Sequence, residues 1–537
     1  MNPAIGGIDA AIIAAYLLGV VLFGIWMGRG QRDAAGYLLG GRSLPWWGVL
    51  LSIVATETST VTFLSIPGLA FAARDGRVFF DQGGSLVFLQ LTFGYIIGRF
   101  VVVSLFLPHY FRGELFTAYE VLGRRFGGLT KQTASLLFLV TRNLADGLRL
   151  YLTAIVLHVV VGLDLWISIA VIGVITILYT FLGGMKAVVW NDCVQFVIYI
   201  VGGLVTLAVI LALLGGGWTG LGDFFASLPA GWARLAQFAH AHGKFRLLDL
   251  SFDLAKPYTL WSGLVGGVFI ALATHGTDQL MVQRYLCARS SREAARALAL
   301  SGFVVCAQFA LFLLIGVGLA CFYHAFPPQA PFGRTDQVFP AFIVGHLPTG
   351  VVGITVAAVF AAAMSTLSSS LNSSAAAAVN DLYLPLHKKR PSPKRLLAVS
   401  RLLTVVFGLI QIGVGIAGLF LATTVVAGKP LISTVVESVM AIAGFTTGVI
   451  LGVFFLGVLT KRVTQPAALA GLVGGLAVMT AVVFVVPVIT GRTLLAWPWF
   501  AILGSTATLA IGMAANALFF QHPAGQETDN RGTHADK

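Results

Sequence analysis

Apolar blocks of about twenty residues recur from Gly6 to about residue 520, and the polar gaps between them are mostly under about twenty residues. The pattern predicts thirteen helices, at 6–28, 46–72, 80–107, 131–159, 165–183, 191–215, 258–282, 297–324, 338–380 (with a re-entrant or short lead-in piece), 398–421, 431–459, 465–488 and 495–520. A soluble chain of this length would separate several cores with polar linkers. The expectation is therefore one all-α polytopic membrane protein of about 13 transmembrane helices. A composition of 57% hydrophobic and 10% charged residues over 537 positions fits that class.

Charge adds topology. The net charge of +13 could suggest nucleic acid, but Lys and Arg sit in short clusters beside apolar blocks, with no basic stripe. With the N-terminus outside, the loops carrying Arg29, Arg32 and Arg42, then Arg112, Arg124, Arg125 and Lys131, then Lys186, all fall on one side. So do those carrying Arg284, Arg289, Arg292 and Arg296, then Lys388, Lys389, Arg390, Lys394 and Arg395, then Lys461 and Arg462. The excess of basic loops makes that side the cytoplasm. The chain is expected to be a multi-pass cell-membrane protein, in the inner membrane if bacterial, with no nucleic-acid partner and no obligatory protein partner. Four scattered cysteines show neither metal-site nor disulfide spacing. The first block lacks a basic leader and reads as a retained span.

The count also predicts symmetry. The second segment starts inside, the seventh starts outside, and five segments separate those starts, so segments 2–6 and 7–11 can form two inverted five-helix repeats. The expected organisation is a first helix outside the core (1–30), repeat one (40–215), an external loop (216–257), repeat two (258–460), helices 12 and 13 (461–520) and a short cytoplasmic tail (521–537). In transporters of this kind the first helix of each repeat is unwound near the membrane centre, where freed backbone groups bind ion and substrate. "LLSIVATETSTVTFLSIPG" and "FIALATHGTDQLMVQRYL" each have a polar, Gly- or Thr-interrupted centre in corresponding positions. Two helices with polar packing faces are the alternative.

Candidate chemistry concentrates in the ninth segment, "AAAMSTLSSSLNSS". At 100° per residue Ser365, Thr366, Ser368, Ser369, Asn372 and Ser373 share one face, opposite Phe360, Met364, Leu367 and Leu371. Neutral hydroxyls and freed carbonyls suit a hard monovalent cation such as sodium. Close packing of small residues, with hydroxyls bonding their own backbone, is the alternative, and it is the reading for Ser370, Ser373 and Ser374. In "TRNLADGLRLYLTA", Arg142, Asp146 and Arg149 recur on one helical face, either as an ion-pair set or with one arginine reaching an anionic substrate. Membrane-embedded catalysis would need a convergent set such as HExxH or paired carboxylates, and none is present, so no enzyme, organic cofactor or transition-metal site is expected.

"GGRSL" (40–44), "YTFLGGMKAVVWNDCVQ" (179–195), "GTDQLMVQRYL" (276–286), "AAAMSTLSSSLNS" (361–373) and "ILGVFFLGVLTKR" (450–462) resemble, in order, the hallmark segments of the sodium:solute symporter family. The resemblance runs from about residue 6 to 488 and implies the leucine-transporter-type inverted-repeat fold, with sodium as coupling ion. It places a primary sodium site on carbonyls of Ala55, Thr58 and Ala362 and hydroxyls of Ser365 and Thr366. It places a conditional second site on Asp192, Ser365, Ser368 and Ser369; Asp192 bonding loop backbone is the alternative. Ser59, Thr62, Gln82 and Phe80 (or Phe79) become polar contacts and a stacking wall for substrate, and Asp278 a residue of the helix break. The arginine that holds the substrate carboxylate in the sialic acid branch falls on Ala145 here, so that clamp is absent. Glu57 lies beside the first sodium site, where it could tune the ion, pair with Arg149 or bind substrate.

The resulting expectation is a secondary active symporter that couples inward sodium movement to uptake of a small polar organic solute, with sugars, sugar acids and other monocarboxylates favoured. A proton-coupled or uncoupled transporter on the same fold, or a transporter-like sensor, are the alternatives.

Overall fold

The computed structural model describes residues 6–29, 31, 33–71, 83–113, 115–328, 332–333, 335–389, 391–423, 425–426, 429–430, 435–492 and 494–519. The chain is built from helices α1 (Gly7–Met27), α2 (Trp46–Glu57), α3 (Thr60–Phe71), α4 (Leu89–Leu105), α5 (Gly128–Val161), α6 (Leu165–Leu214) and α7 (Gly267–Gly276). They continue as α8 (Gln279–Leu286), α9 (Ser291–Ala325), α10 (Val351–Ala377), α11 (Pro393–Thr423), α12 (Val435–Leu459), α13 (Gln465–Thr480) and α14 (Phe500–Phe519). Among the described residues, eight helices are long and apolar enough to cross a membrane, or nine when the bent pair at Trp46–Phe71 counts as one span. Every expected segment has a helical counterpart, with boundaries shifted.

One shift has a clear cause. The fifth and sixth segments, expected as separate helices, form the continuous 50-residue α6. At 1.5 Å per residue a straight α6 would be about 75 Å long, over twice a bilayer core of about 30 Å, so it must reverse. It does so at Gly184, whose φ of 56° and ψ of −163° lie outside the helical region. A Cβ there would also sit 2.6 Å from the Tyr37 carbonyl oxygen, which leaves glycine as the residue that fits. Both arms of α6 then reach adjacent residues of α10: Tyr179 Oη donates to Met364 O at 2.9 Å, and Ser365 Oγ donates to Asp192 Oδ1 at 2.8 Å. The ninth segment resolves into a short lead-in, Val338–His346, and α10, as expected, and the 216–257 loop contains a helix, Leu221–Ala241.

Both predicted helix breaks are present. Between α2 and α3 the axis bends by 61°. Thr58 there is extended (φ −80°, ψ 99°). Between α7 and α8 the helix stops at Gly276 and restarts at Gln279, with Asp278 extended and its side chain accepting from Leu280 N. Leu44 N donates to Cys287 O, and Arg289 N donates to Leu44 O, at 3.1 and 3.3 Å. The start of α2 and the end of α8 therefore share one face of the molecule, and the two broken helices run in opposite directions.

Two packing devices hold this core. α4 crosses the α7 region at close range, since a Cβ on Gly94 would lie 2.2 Å from Gly263 O. Such small-residue seams let membrane helices approach without a hydrophobic driving force. Elsewhere in the core, the buried Asp9 of α1 accepts from the backbone N–H groups of Gly350 and Gly353, each at 2.7 Å, capping α10 from another helix. Asp9→Ala is expected to cost about 1–2 kcal/mol, typical of a lost N-cap, read as a lower melting temperature of the purified protein.

The 216–257 loop is pinned by charge. Asp249 bonds Lys256, Arg246 and Ser251, while its N–H donates to Gln90 Oε1 at 3.0 Å. Burial alone would push the Asp249 carboxyl up, but its bonds from Lys256 and Ser251 hold it down at about 2. A carboxyl with a depressed folded-state value stabilises above its unfolded value and loses that contribution as pH falls. Loop anchoring should therefore be complete at neutral pH and be lost between about pH 4 and pH 2. Limited proteolysis of the loop across that window reads it.

Candidate functional site

The end of α2 at Glu57 leaves the carbonyls of Ala55, Thr56 and Glu57 without helical partners, while Thr58 N reaches back to Val54 O at 3.0 Å. α10 lies against this break. Thr366 Oγ1 donates to the freed Thr56 carbonyl at 3.0 Å, with Ala362 O at 3.5 Å. The Thr58 hydroxyl donates to Val54 O at 2.8 Å and meets Tyr199 Oη of α6 at 3.1 Å. Ala55, Thr58, Ala362, Ser365 and Thr366 are all buried and come together at one seam of α2, α6 and α10.

One turn away along the seam stands a group the sequence reading misplaced. Arg284, expected among the cytoplasmic loop charges, lies inside α8 with no exposed surface. Its Nη2 donates to Thr56 Oγ1 and Ser369 Oγ and pairs with Asp192 Oδ2 at 3.3 Å. Its Nε donates to Ser52 Oγ at 2.9 Å. Asp192 also accepts from Ser52 Oγ at 2.5 Å and Ser365 Oγ at 2.8 Å, so its partners are side chains of α2, α8 and α10 and not loop backbone. Ser368 stays out of this cluster and bonds Ser365 O at 3.2 Å.

The remaining hydroxyls of α10 have partners as well. Gln411 of α11 donates to Ser370 Oγ and to Asn143 Oδ1, both at 3.0 Å, and Asn143 Nδ2 donates to Ser374 Oγ at 3.2 Å. Ser370 and Ser374 are thus polar cross-links to α5 and α11, beyond the small-residue packing expected of them. Ser373 bonds Ser370 O, as the packing alternative predicts. Asn372 accepts from Gln283 at 2.7 Å.

The two breaks are joined by a third cluster. Glu57 pairs with Arg99 of α4, not with Arg149. Arg99 Nη2 also lies 3.1 Å from His275 Nε2, at the end of α7. The same Nε2 lies 3.6 Å from Glu57 Oε2, and Nδ1 lies 3.0 Å from Tyr285 Oη, so His275 bridges the Arg99–Glu57 pair to α8. Arg99 is fully buried, whereas the Glu57 side chain keeps 16% exposure. Arg99 went unnoticed in the sequence, although a lone charge within "FGYIIGRFVVV" is the signal of a functional intramembrane residue.

On α5, Arg142 Nη2 donates to Asp278 Oδ2 at 2.5 Å, and its Nη1 lies 3.7 Å from Asp146 Oδ1, which Arg149 also holds. The carboxylates of Glu57, Asp146, Asp192 and Asp278 thus face the guanidiniums of Arg99, Arg142, Arg149 and Arg284, and the ledger around the breaks is neutral. Ser59 and Thr62 lie buried beside the α2–α3 break. Phe80 and Gln82 lie outside the described residues.

The sodium:solute symporter family matches residues 37–475. The chain is 32% identical over 491 residues to the human sodium/iodide cotransporter, covering 89% of this chain and 69% of that protein. It is 28% identical over 517 residues to the sodium/sialic acid symporter SiaT of Proteus mirabilis, covering 96% of each. A solved structure of a Na+-coupled sialic acid symporter, substrate-bound and outward-open, superposes with a TM-score of 0.80 at 26% identity, over 96% of this chain and 98% of that one. With the broken helices and the hydroxyl-rich α10 in place, this chain is a sodium-coupled solute symporter rather than an enzyme, and it belongs to the sodium:solute symporter family.

Proposed function

We propose that the protein imports a small organic anion, a sugar acid or other monocarboxylate, driven by sodium and by alternating access between two inverted repeats (40–215 and 258–460). The observation that carries this reading is the bond from Thr366 Oγ1 to the freed Thr56 carbonyl. It brings the hydroxyls of α10 to the oxygens of the broken α2. Carbonyls of Ala55, Thr58 and Ala362 with hydroxyls of Ser365 and Thr366 would give one sodium five neutral oxygens. Sodium there ties α10 to the break, and Glu57, the next residue, passes that constraint through Arg99 to His275 at the other break.

The neutral ledger favours an anion. One sodium adds a positive charge beside four carboxylates and four guanidiniums that already balance one another around the breaks, and an anionic solute offsets it. Iodide and sialic acid, the solutes in the names of two relatives, are both anions. Ser59, Thr62, Phe80, Gln82 and Glu57 remain the candidate contacts near the first break. The orientation consistent with the basic loops has the N-terminus outside and the C-terminus in the cytoplasm.

The second sodium site is where the structure argues for restraint. The Arg284 guanidinium contacts Asp192 and Ser369, two groups that site would need. One sodium per anion follows, so transport of a monovalent anion moves no net charge. In proteoliposomes, uptake should be indifferent to a membrane potential set with potassium and valinomycin. Acceleration by an inside-negative potential, with inward current tracking solute, would instead establish two sodium ions on Asp192, Ser365, Ser368 and Ser369.

A further inference from the structure

Of the residues assigned to sodium, Ala55 lies in α2, and Ala362, Ser365 and Thr366 lie in α10, but Thr58 lies between two helices. Its φ of −80° and ψ of 99° are extended, so no helical ladder sets the direction of its carbonyl. Side chains hold it instead. Thr58 Oγ1 donates to Val54 O at 2.8 Å and meets Tyr199 Oη of α6 at 3.1 Å, and Tyr199 Oη lies 2.8 Å from Gln308 Oε1 of α9. Thr58, Tyr199 and Gln308 are all buried.

Gln308 also opens a stripe on α9. Phe312 and Gly316 follow at four-residue spacing, which keeps all three on one helical face. The Phe312 ring meets Phe63 of α3 edge-on, with centroids 5.1 Å apart. A Cβ on Gly316 would lie 2.0 Å from Pro67 O, so the backbones of α9 and α3 touch there. This face of α9 therefore runs along the second half of the broken helix, and its polar member reaches the sodium seam through Tyr199. In the repeat assignment, α9 belongs to the second repeat, whereas α2, α3 and α6 belong to the first.

We infer that Tyr199 and Gln308 are positioning residues for sodium: they hold Thr58 so that its carbonyl points at the ion, and they make that placement depend on α9. Neither touches the ion itself. The bridge makes sodium affinity sensitive to how α9 sits against α3, and sodium in turn favours the arrangement in which the bridge is closed. This role rests on the sodium seat proposed above, and in particular on the Thr58 carbonyl.

The test is equilibrium binding of radioactive sodium to the purified full-length protein, with choline as the balancing cation. Tyr199→Phe keeps the ring and removes one buried oxygen, so it should raise the sodium concentration for half-saturation about tenfold, the scale of one lost hydrogen bond. Gln308→Met, similar in volume, should raise it about threefold, because the tyrosine hydroxyl then keeps only Thr58. The double variant should stay within about twofold of Tyr199→Phe, since both residues act through one bridge, whereas independent effects would multiply. A purely structural role lowers the melting temperature and leaves half-saturation unchanged; that result in Tyr199→Phe would overturn the bridge. Should Tyr199→Phe fail to fold, Gln308→Met decides by the same criterion. Thr366→Val in the same assay separates the two claims. Sodium binding weakened there but not in Tyr199→Phe refutes the bridge and leaves the seat standing, while wild-type affinity in both refutes the seat and the bridge with it.

Discussion

Arg284→Ala is expected to lower the stability of the protein in potassium buffer by about 3–5 kcal/mol, the usual cost of stripping one partner from a buried ion pair. Asp192 would then be a carboxylate deep in the core, with hydroxyls around it and no counter-charge. The same substitution opens to a cation the groups that Arg284 now occupies. Sodium, but not potassium, should therefore restore part of the lost melting temperature, and the sodium dependence of transport should become steeper. Asp192→Asn in the same background removes the orphaned charge. The double variant should recover most of the stability and lose the sodium rescue, which a purely steric role for Arg284 would not produce.

Thr366→Val is expected to raise the sodium concentration for half-maximal uptake by about 30- to 150-fold. Valine keeps the shape and removes the one hydroxyl that bridges α10 to the Thr56 carbonyl. A bond to a charged group is worth about 2–3 kcal/mol, and each 1.4 kcal/mol is tenfold in affinity. Thr366→Ser, which keeps the oxygen, should stay within about threefold of wild type. Sodium titration of uptake for the three proteins reads both expectations.

The helices, the opposed broken pair and the hydroxyl face of α10 were legible because hydrophobic period and loop charge are local properties of the chain. The breaks were legible for the same reason: Thr58 and Asp278 stand in polar interruptions of apolar runs. Partner choice was not. Arg284 lies five residues before Arg289, and a charge count reads both as loop residues, while the fold buries the first and leaves the second at the surface. Arg99 carried a signal, being alone in an apolar block, but nothing local says that it meets Glu57 rather than Asp146. Ser370 and Ser374 looked like packing residues because the amides that bond them, Asn143 and Gln411, come from helices distant in sequence. What the sequence withholds is the pairing between elements, and the proposed one-sodium stoichiometry rests on one such pairing, Arg284 with Asp192.

The most direct measurement of the central claim is accumulation of radiolabelled L-lactate and N-acetylneuraminate in proteoliposomes under an inward sodium gradient, against potassium and choline controls. A tenfold sodium gradient coupled one-to-one to an anion carries about 1.4 kcal/mol, which supports accumulation of up to about tenfold. The account predicts accumulation above the external concentration with sodium for at least one of these carboxylates, and none with potassium or choline. Equal uptake under all three cations would contradict it.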